Sequence, residues 1–328
     1  MKEHAPGGIR EVFKIALPMV IGNSAYTIMQ FCDRIFLARY DDIAIQAAMP
    51  AGLLSFSLIC LFLATAGYSG TFVAQFHGAK EPDNCVKATV HGLLLILACS
   101  PIFLAMIPLG YLVFDVFGHA ADLIEQERIY LRWMLYGALP TGMGWVLSGF
   151  FTGRGKVRLA TAAGVTGCAV NIVLDWAMIF GRLGLPEMGL RGAATATFIS
   201  SWVAPAILFV SMLRSGPVHS IGRRRVFVFN PEFLRRLIRF GLPSGIQVFL
   251  DVGAFSIFVL MTAQLEPATL TVTNIVFSIN NLAFSPLMGF GAAASILSGQ
   301  YHGAGENAHA MKSGWASLKL GCMYMAFI

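Results

Sequence analysis

Charge is what this sequence has least of. Asp, Glu, Lys and Arg make up 12% of its 328 residues, about half the roughly 25% found in soluble globular domains. Runs free of all four exceed the roughly 20 residues that cross a bilayer as a helix. The longest are Gln46 to Gly78 and Pro267 to Gly305. That shortage excludes an ordinary soluble domain. The same runs lack the polar alternation that barrel strands require, which excludes a transmembrane β-barrel. HExxH, GxSxG and a Gly-rich phosphate loop are also missing, so the common signatures of hydrolytic and nucleotide chemistry are absent. The six cysteines (Cys32, Cys60, Cys85, Cys99, Cys168 and Cys322) show no CxxC spacing and lie mostly in apolar runs. They read as small core residues and not as metal ligands. No small-residue cleavage site follows the first apolar run, which is therefore read as a first span and not as a removed leader.

What the chain does have is apolar bulk. Its residues are 56% apolar and its mean hydropathy is +0.70. The fold class expected is an all-α polytopic membrane protein. Spans are predicted near 14–37, 47–75, 88–114, 129–151, 159–180, 192–213, 237–264, 271–299 and 314–328. The loops between them alternate in charge. With the N-terminus in the cytoplasm, inner segments hold 16 of the 23 basic residues and outer ends hold six. The positive-inside rule places the N-terminus in the cytoplasm and the chain in the cell (inner) membrane. The net charge of +6 would suit a nucleic-acid partner, but those basic residues fall in loops between spans, so that partner is excluded. The run Arg223 to Arg225 reads as an orientation anchor, with contact to anionic lipid as the functional alternative.

The chain repeats itself. QFHGA at Gln75 to Ala79 returns as QYHGA at Gln300 to Ala304, an offset of 225 residues. The same offset joins Arg10 to Arg235, Leu17 to Leu242, Pro18 to Pro243 and Lys87 to Lys312. One period holds six spans, an even number, so both copies enter the membrane with the same orientation. That is a parallel repeat related by a pseudo-two-fold axis along the membrane normal, a plan typical of secondary transporters. The domains expected are a six-helix lobe over 1–213, a basic cytoplasmic linker over 214–234 and a partial second lobe over 235–328. The second copy breaks off in its third span, about nine spans of an expected twelve.

Acids within spans are costly and mark function. Asp33 and Asp175 each lie a few residues before the outer end of a span that runs outward, roughly 6–8 Å below the boundary at 1.5 Å per residue. Asn171 precedes Asp175 by one turn on the same face. Thr197, entering from the outer side, reaches a similar depth. One polar layer can thus hold Asp33, Asn171, Asp175 and Thr197. Its oxygens suit a hard cation such as Na⁺, or two close acids could share a proton. The plainer reading makes Asp33 and Asp175 interfacial residues near helix ends. Asp251 lies nearer mid-bilayer in the seventh span, with a buried acid bonded to Gln247 or Ser256 as its plainer alternative. The acids do not follow the repeat, since Asp33 aligns with Phe258 and Asp251 with Tyr26. Pro18 and Pro243 are hinge candidates, with static kinks as the alternative.

RxxxKxALP at Arg10 to Pro18 and DRIFLARYDDIAIQAAMPA from Asp33 resemble the first-span region of the multidrug and toxic compound extrusion (MATE) family. NIVLDWAMIFG from Asn171 and GLRGAATATFIS from Gly189 resemble its fifth and sixth spans, and FTGRGK at Phe151 to Lys156 its fourth loop. The resemblance implies a two-lobe, twelve-span antiporter that exports amphipathic, cationic small molecules against an inward flow of H⁺ or Na⁺. It implies coupling roles for Asp33, Asn171, Asp175 and Thr197. Asp251 matches a position that is often Glu in NorM-like members, and Met29 stands where some archaeal-type members carry a Tyr. No cofactor is expected beyond the coupling ion; the partners are a drug-like substrate and the bilayer, and the chain is expected to be a monomer and not an enzyme. The alternatives are a flippase for lipid-linked sugars, which the scarcity of Arg and Lys within spans counts against, and a non-transporting membrane scaffold.

Overall fold

The computed structural model describes residues 6–117, 120–216, 218, 229–263 and 267–327, with the backbone alone described at 117, 257–263, 267–283 and 327. The Arg223 to Arg225 run and much of the expected linker lie outside the described residues. Everything regular in the described residues is helix. In order these are α1 (Ile9–Tyr40), α2 (Asp42–Gly67), α3 (Ser69–Gly78), α4 (Pro82–Phe117), α5 (Ala121–Tyr136) and α6 (Ala138–Gly153). They continue with α7 (Val157–Ile179), α8 (Gly189–Ser201), α9 (Val203–Leu213), α10 (Pro231–Ala263), α11 (Pro267–Gly303) and α12 (Asn307–Phe327). Among the described residues, five stretches are long and apolar enough to cross a bilayer: Ile9–Tyr40, Asp42–Gly78, Pro82–Val116, Val157–Ile179 and Gly189–Leu213.

Three pairs, α2/α3, α5/α6 and α8/α9, are separated by a single residue: Tyr68, Gly137 or Trp202. Two of the breaks have a plain cause. Proline cannot donate to the carbonyl four residues earlier, and its ring crowds that carbonyl. Pro140 and Pro205 stand four residues after Tyr136 and Ser201, where α5 and α8 end. The expected hinges behave differently. Pro18 and Pro243 lie inside the unbroken helices α1 and α10. At Pro18 the carbonyl accepts a hydrogen bond from Thr161 Oγ1 on α7, at 3.0 Å.

Small residues let these helices meet closely, as they do where no water drives association. A Cβ built on Gly70 would stand 2.9 Å from the Cα of Gly149, and the reverse contact is the same. Around that seam lie two apolar cores, one holding Leu147 and Phe150 and the other Phe103, Leu131 and Leu135.

The repeat is legible in the helix ends. Shifting α2/α3 by the offset carries Asp42 to Pro267 and Gly78 to Gly303, the two ends of α11. Pro82 likewise maps to Asn307, the start of α12. The break at Tyr68 does not recur in α11, which runs unbroken. Packing follows the repeat as well: α1 lies against α11, and its image α10 lies against α2. Exchange of roles between two copies is what a two-fold axis produces.

Candidate functional site

The four residues expected to share one polar layer converge. α1 and α8 both pack on α7, which puts Asp33, the Asn171–Asp175 face and Thr197 together. Asn171 and Asp175 are fully buried, one turn apart on the same side of α7. The amide of Asn171 is oriented by its neighbours, since only one orientation serves the two acids. In that orientation its NH₂ donates to Asp33 Oδ1 and to Asp175 Oδ2, each at 3.2 Å. The other end of the amide lies 3.4 Å from Thr197 Oγ1. The carboxyl groups of Asp33 and Asp175 are also within hydrogen-bonding reach of each other. One oxygen, Asp175 Oδ1, is buried with no hydrogen-bond partner among the described residues.

An apolar cluster caps one side of this group. One turn beyond each polar residue stands an apolar one: Leu37 after Asp33, Ile179 after Asp175 and Ala193 before Thr197. These three, with Leu190, Ala44 and Ala47, form a buried cluster. Phe180 meets the rings of Phe36 and Tyr40 edge-on, with centroids 6.1 and 6.4 Å away. Excluding water on that side matters, because like charges repel more strongly where the local dielectric is low. Two ionised carboxylates in contact are therefore costly, and a shared proton or a bound cation removes that cost.

The donor set bears on whether a cation such as Na⁺ could sit here. Two carboxylates, an amide and a hydroxyl are hard oxygen-bearing groups that suit it. The amide orientation argues the other way. While the NH₂ of Asn171 serves both acids, its oxygen faces Thr197 and cannot ligate a cation between them.

Asp251 stays apart. It is exposed on α10, and among the described residues it has no hydrogen bond or ion pair. The alternative partner Ser256 instead donates to Val252 O and meets Ser57 Oγ across the α2–α10 contact. One neighbour went unnoticed in the sequence. Tyr130 on α5 packs against the same apolar cluster and lies within electrostatic range of Asp33 and Asp175. Its position near the start of the expected fourth span was the available signal, because depth alone places it in the same layer. Tyr26 on α1, the repeat image of Asp251, accepts a hydrogen bond from Gln30 Nε2 at 2.8 Å.

Residues 18–177 and 243–328 match the MatE family. A relative from Thermotoga maritima, described as a probable multidrug resistance protein NorM, is 28% identical over 331 aligned positions, covering 96% of this chain and 68% of its own length. A protein of the same description from Mesorhizobium japonicum is 29% identical, covering 98% and 69%. Among solved structures, an outward-facing multidrug resistance MATE family transporter superposes with a TM-score of 0.86 at 24% identity, over 98% of this chain and 70% of that one. That likeness shows the fold.

Proposed function

The chain belongs to the MatE family, and on that premise we propose that it works as an antiporter that exports amphipathic, cationic small molecules in exchange for inward-moving H⁺. The observation that carries this reading is the Asp33–Asn171–Asp175 group: two acids, bridged by one amide and capped on one side by apolar residues. In the proposed cycle, the proton-loaded pair is neutral and tolerates the dry layer. The deprotonated pair carries charge and favours a conformation that admits water. A ligand shifts such an equilibrium only by its differential affinity for the two states, and the buried pair is where that difference resides. The proposal places the N-terminus in the cytoplasm, on the distribution of basic residues. It takes the protein to be a monomer in the cell membrane, acting on its substrate by transport and not by chemistry.

The deciding experiment uses inverted membrane vesicles loaded with the chain and a panel of fluorescent organic cations. An imposed pH gradient should drive dye accumulation, and collapse of the gradient should release it. Accumulation that follows an imposed Na⁺ gradient at constant pH would replace H⁺ by Na⁺. Equal dye movement with no gradient of either ion would mean a channel.

Within this reading Thr197 is a supporting residue. Thr197→Val keeps the shape but removes the hydroxyl facing the Asn171 amide. A neutral hydrogen bond is worth about 0.5–1.5 kcal/mol net. Coupled efflux should slow about three- to tenfold on that scale without being lost, as measured by initial dye uptake per folded protein.

A further inference from the structure

A groove between the end of α4 and the first turns of α5 plays no part in the acid group. Its volume is about 460 Å³, within the range of small-molecule sites. Its charged lining is Asp115 from α4 and Glu125, Arg128 and Arg132 from α5. Tyr111 holds the two arginines together. Their guanidinium groups stand 5.3 and 5.9 Å from the centre of its ring, and Arg132 Nε donates to its hydroxyl at 2.8 Å. Arg128 donates from Nη2 alone to both carboxylate oxygens of Asp115, at 2.6 and 2.7 Å. That leaves Arg128 Nη1 and both terminal nitrogens of Arg132 without a hydrogen bond among the described residues. Two cations on one ring, with one acid between them, leave a surplus of positive charge. Glu125 is exposed and has no ion pair among the described residues.

These groups are ordered by depth. The spans expected from sequence end near 114 on α4 and begin near 129 on α5. The membrane boundary therefore passes between Glu125 and Arg132, which share a face of α5 two turns apart, roughly 10 Å along the axis. Arg132 lies on the hydrocarbon side and Glu125 on the water side, with Asp122 about one turn further out. Arg132 is exposed, and a guanidinium at that depth is costly without a counter-charge. The Tyr111 hydroxyl supplies none. Beside the groove, Leu109, Leu112 and Val116 are exposed on the face of α4 that carries Asp115.

We infer that this groove binds the headgroup of a phospholipid that carries a primary ammonium, with the phosphate on Arg128 and Arg132, the ammonium on Glu125 and an acyl chain over Leu109 and Leu112. The order of groups in depth is that of the lipid itself: chains deepest, then phosphate, then ammonium. The phosphate supplies the counter-charge that Arg132 lacks, and the planar guanidinium fork suits its oxygens. A primary ammonium offers three N–H donors to a carboxylate, whereas a trimethylated one offers none. A purely anionic headgroup would be repelled by Glu125 and Asp122. The exposed leucines favour a lipid over a soluble phosphoester, because only the lipid brings apolar surface to cover them.

The site is independent of the transport reading, and so is its test. Native mass spectrometry is run on the whole purified chain in detergent, with phosphatidylethanolamine, phosphatidylcholine and phosphatidylglycerol of matched acyl chains added in turn. The first phosphatidylethanolamine should bind about tenfold more tightly than either of the others, the low end for a hydrogen bond to a charged group. Glu125→Gln should erase the preference over phosphatidylcholine while both lipids still bind. Arg132→Gln should weaken both of these lipids alike, by about tenfold or more. Excess soluble glycerophosphoethanolamine should leave the lipid in place. Equal affinity for the three lipids overturns the site, and so does a preference for phosphatidylethanolamine that survives Glu125→Gln. Tighter binding of phosphatidylglycerol overturns it in favour of a plain anion site, and displacement by the soluble phosphoester overturns the lipid as ligand. Should Arg132→Gln fail to accumulate, Glu125→Gln decides alone, since that exposed side chain has no ion pair to lose among the described residues.

Discussion

Asp33→Asn should abolish gradient-driven efflux while leaving insertion and folding intact. The substitution keeps the size of the side chain and its capacity to hydrogen-bond, and removes only the titrating group. Asp33 is half-buried, whereas Asp175 is fully buried, so of the two acids Asp33 is the one with a route to water. Without it the remaining acid has no like charge to repel. It can then stay in one protonation state throughout the cycle, and the two conformations lose their differential affinity for H⁺. One charge moved across 100 mV is worth about 2.3 kcal/mol, or roughly a fifty-fold concentration ratio at 1.36 kcal/mol per tenfold. Dye accumulation in the vesicle assay should fall by about that factor, to the level of equilibration. Thermal unfolding of the purified variant should match the parent, because the side chain keeps its size and its capacity to hydrogen-bond. Parent-like accumulation by Asp33→Asn would falsify the coupling role. Loss of activity together with loss of folded protein would show that Asp33 is structural.

The parts of this site that could be read from sequence share a property: they lie on one helix or depend on depth alone. Asn171 and Asp175 are four residues apart, so any helix puts them on one face. Asp33 and Thr197 join them because counting residues from a span end fixes depth to within a turn. The apolar cap was not readable that way. Leu37, Ile179 and Ala193 are ordinary apolar residues in apolar spans, and only the convergence of α1, α7 and α8 makes them a seal. Depth says nothing of which face a residue takes: Asp251, the acid assigned to the second lobe, is exposed on α10 and does not meet the pair. The helix breaks were half legible. Each of Pro140 and Pro205 predicts an interruption four residues back, yet Pro18 and Pro243 are absorbed into continuous helices. A proline shows which hydrogen bond is missing, while packing decides whether the helix breaks there. The repeat was the most legible feature of all, and its meaning was the least. The offset maps helix ends onto helix ends, but only the fold shows that the two motifs touch.

The second large effect is expected at a glycine that carries no chemistry. Gly192, in the first turn of α8, lies against the end of α7. A Cβ there would stand 2.6 Å from Met178 O and 2.7 Å from Met178 C, and those atoms belong to backbone that cannot rotate away. The same carbonyl accepts the hydrogen bond of Met188 N at 3.0 Å, so the loop before α8 is fastened at this point. Gly192→Val must therefore push α8 away from α7. The displacement acts on both parts of the site together. Thr197 lies five residues along α8, and its 3.4 Å approach to the Asn171 amide is already near the limit of a hydrogen bond. Leu190 and Ala193 leave the apolar cap beside Asp175, which admits water from that side. Overpacking of this kind costs about 1–3 kcal/mol. The melting temperature should drop by several degrees, as scanning calorimetry in detergent can measure, and coupled efflux per folded protein should fall about tenfold or more. Gly164→Val, on the open face of α7, separates site geometry from the general cost of valine in a helix and should retain efflux. If Gly192→Val melts lower but couples normally per folded protein, the apolar cap and Thr197 play no part in coupling. The acid pair would then work without a dry side.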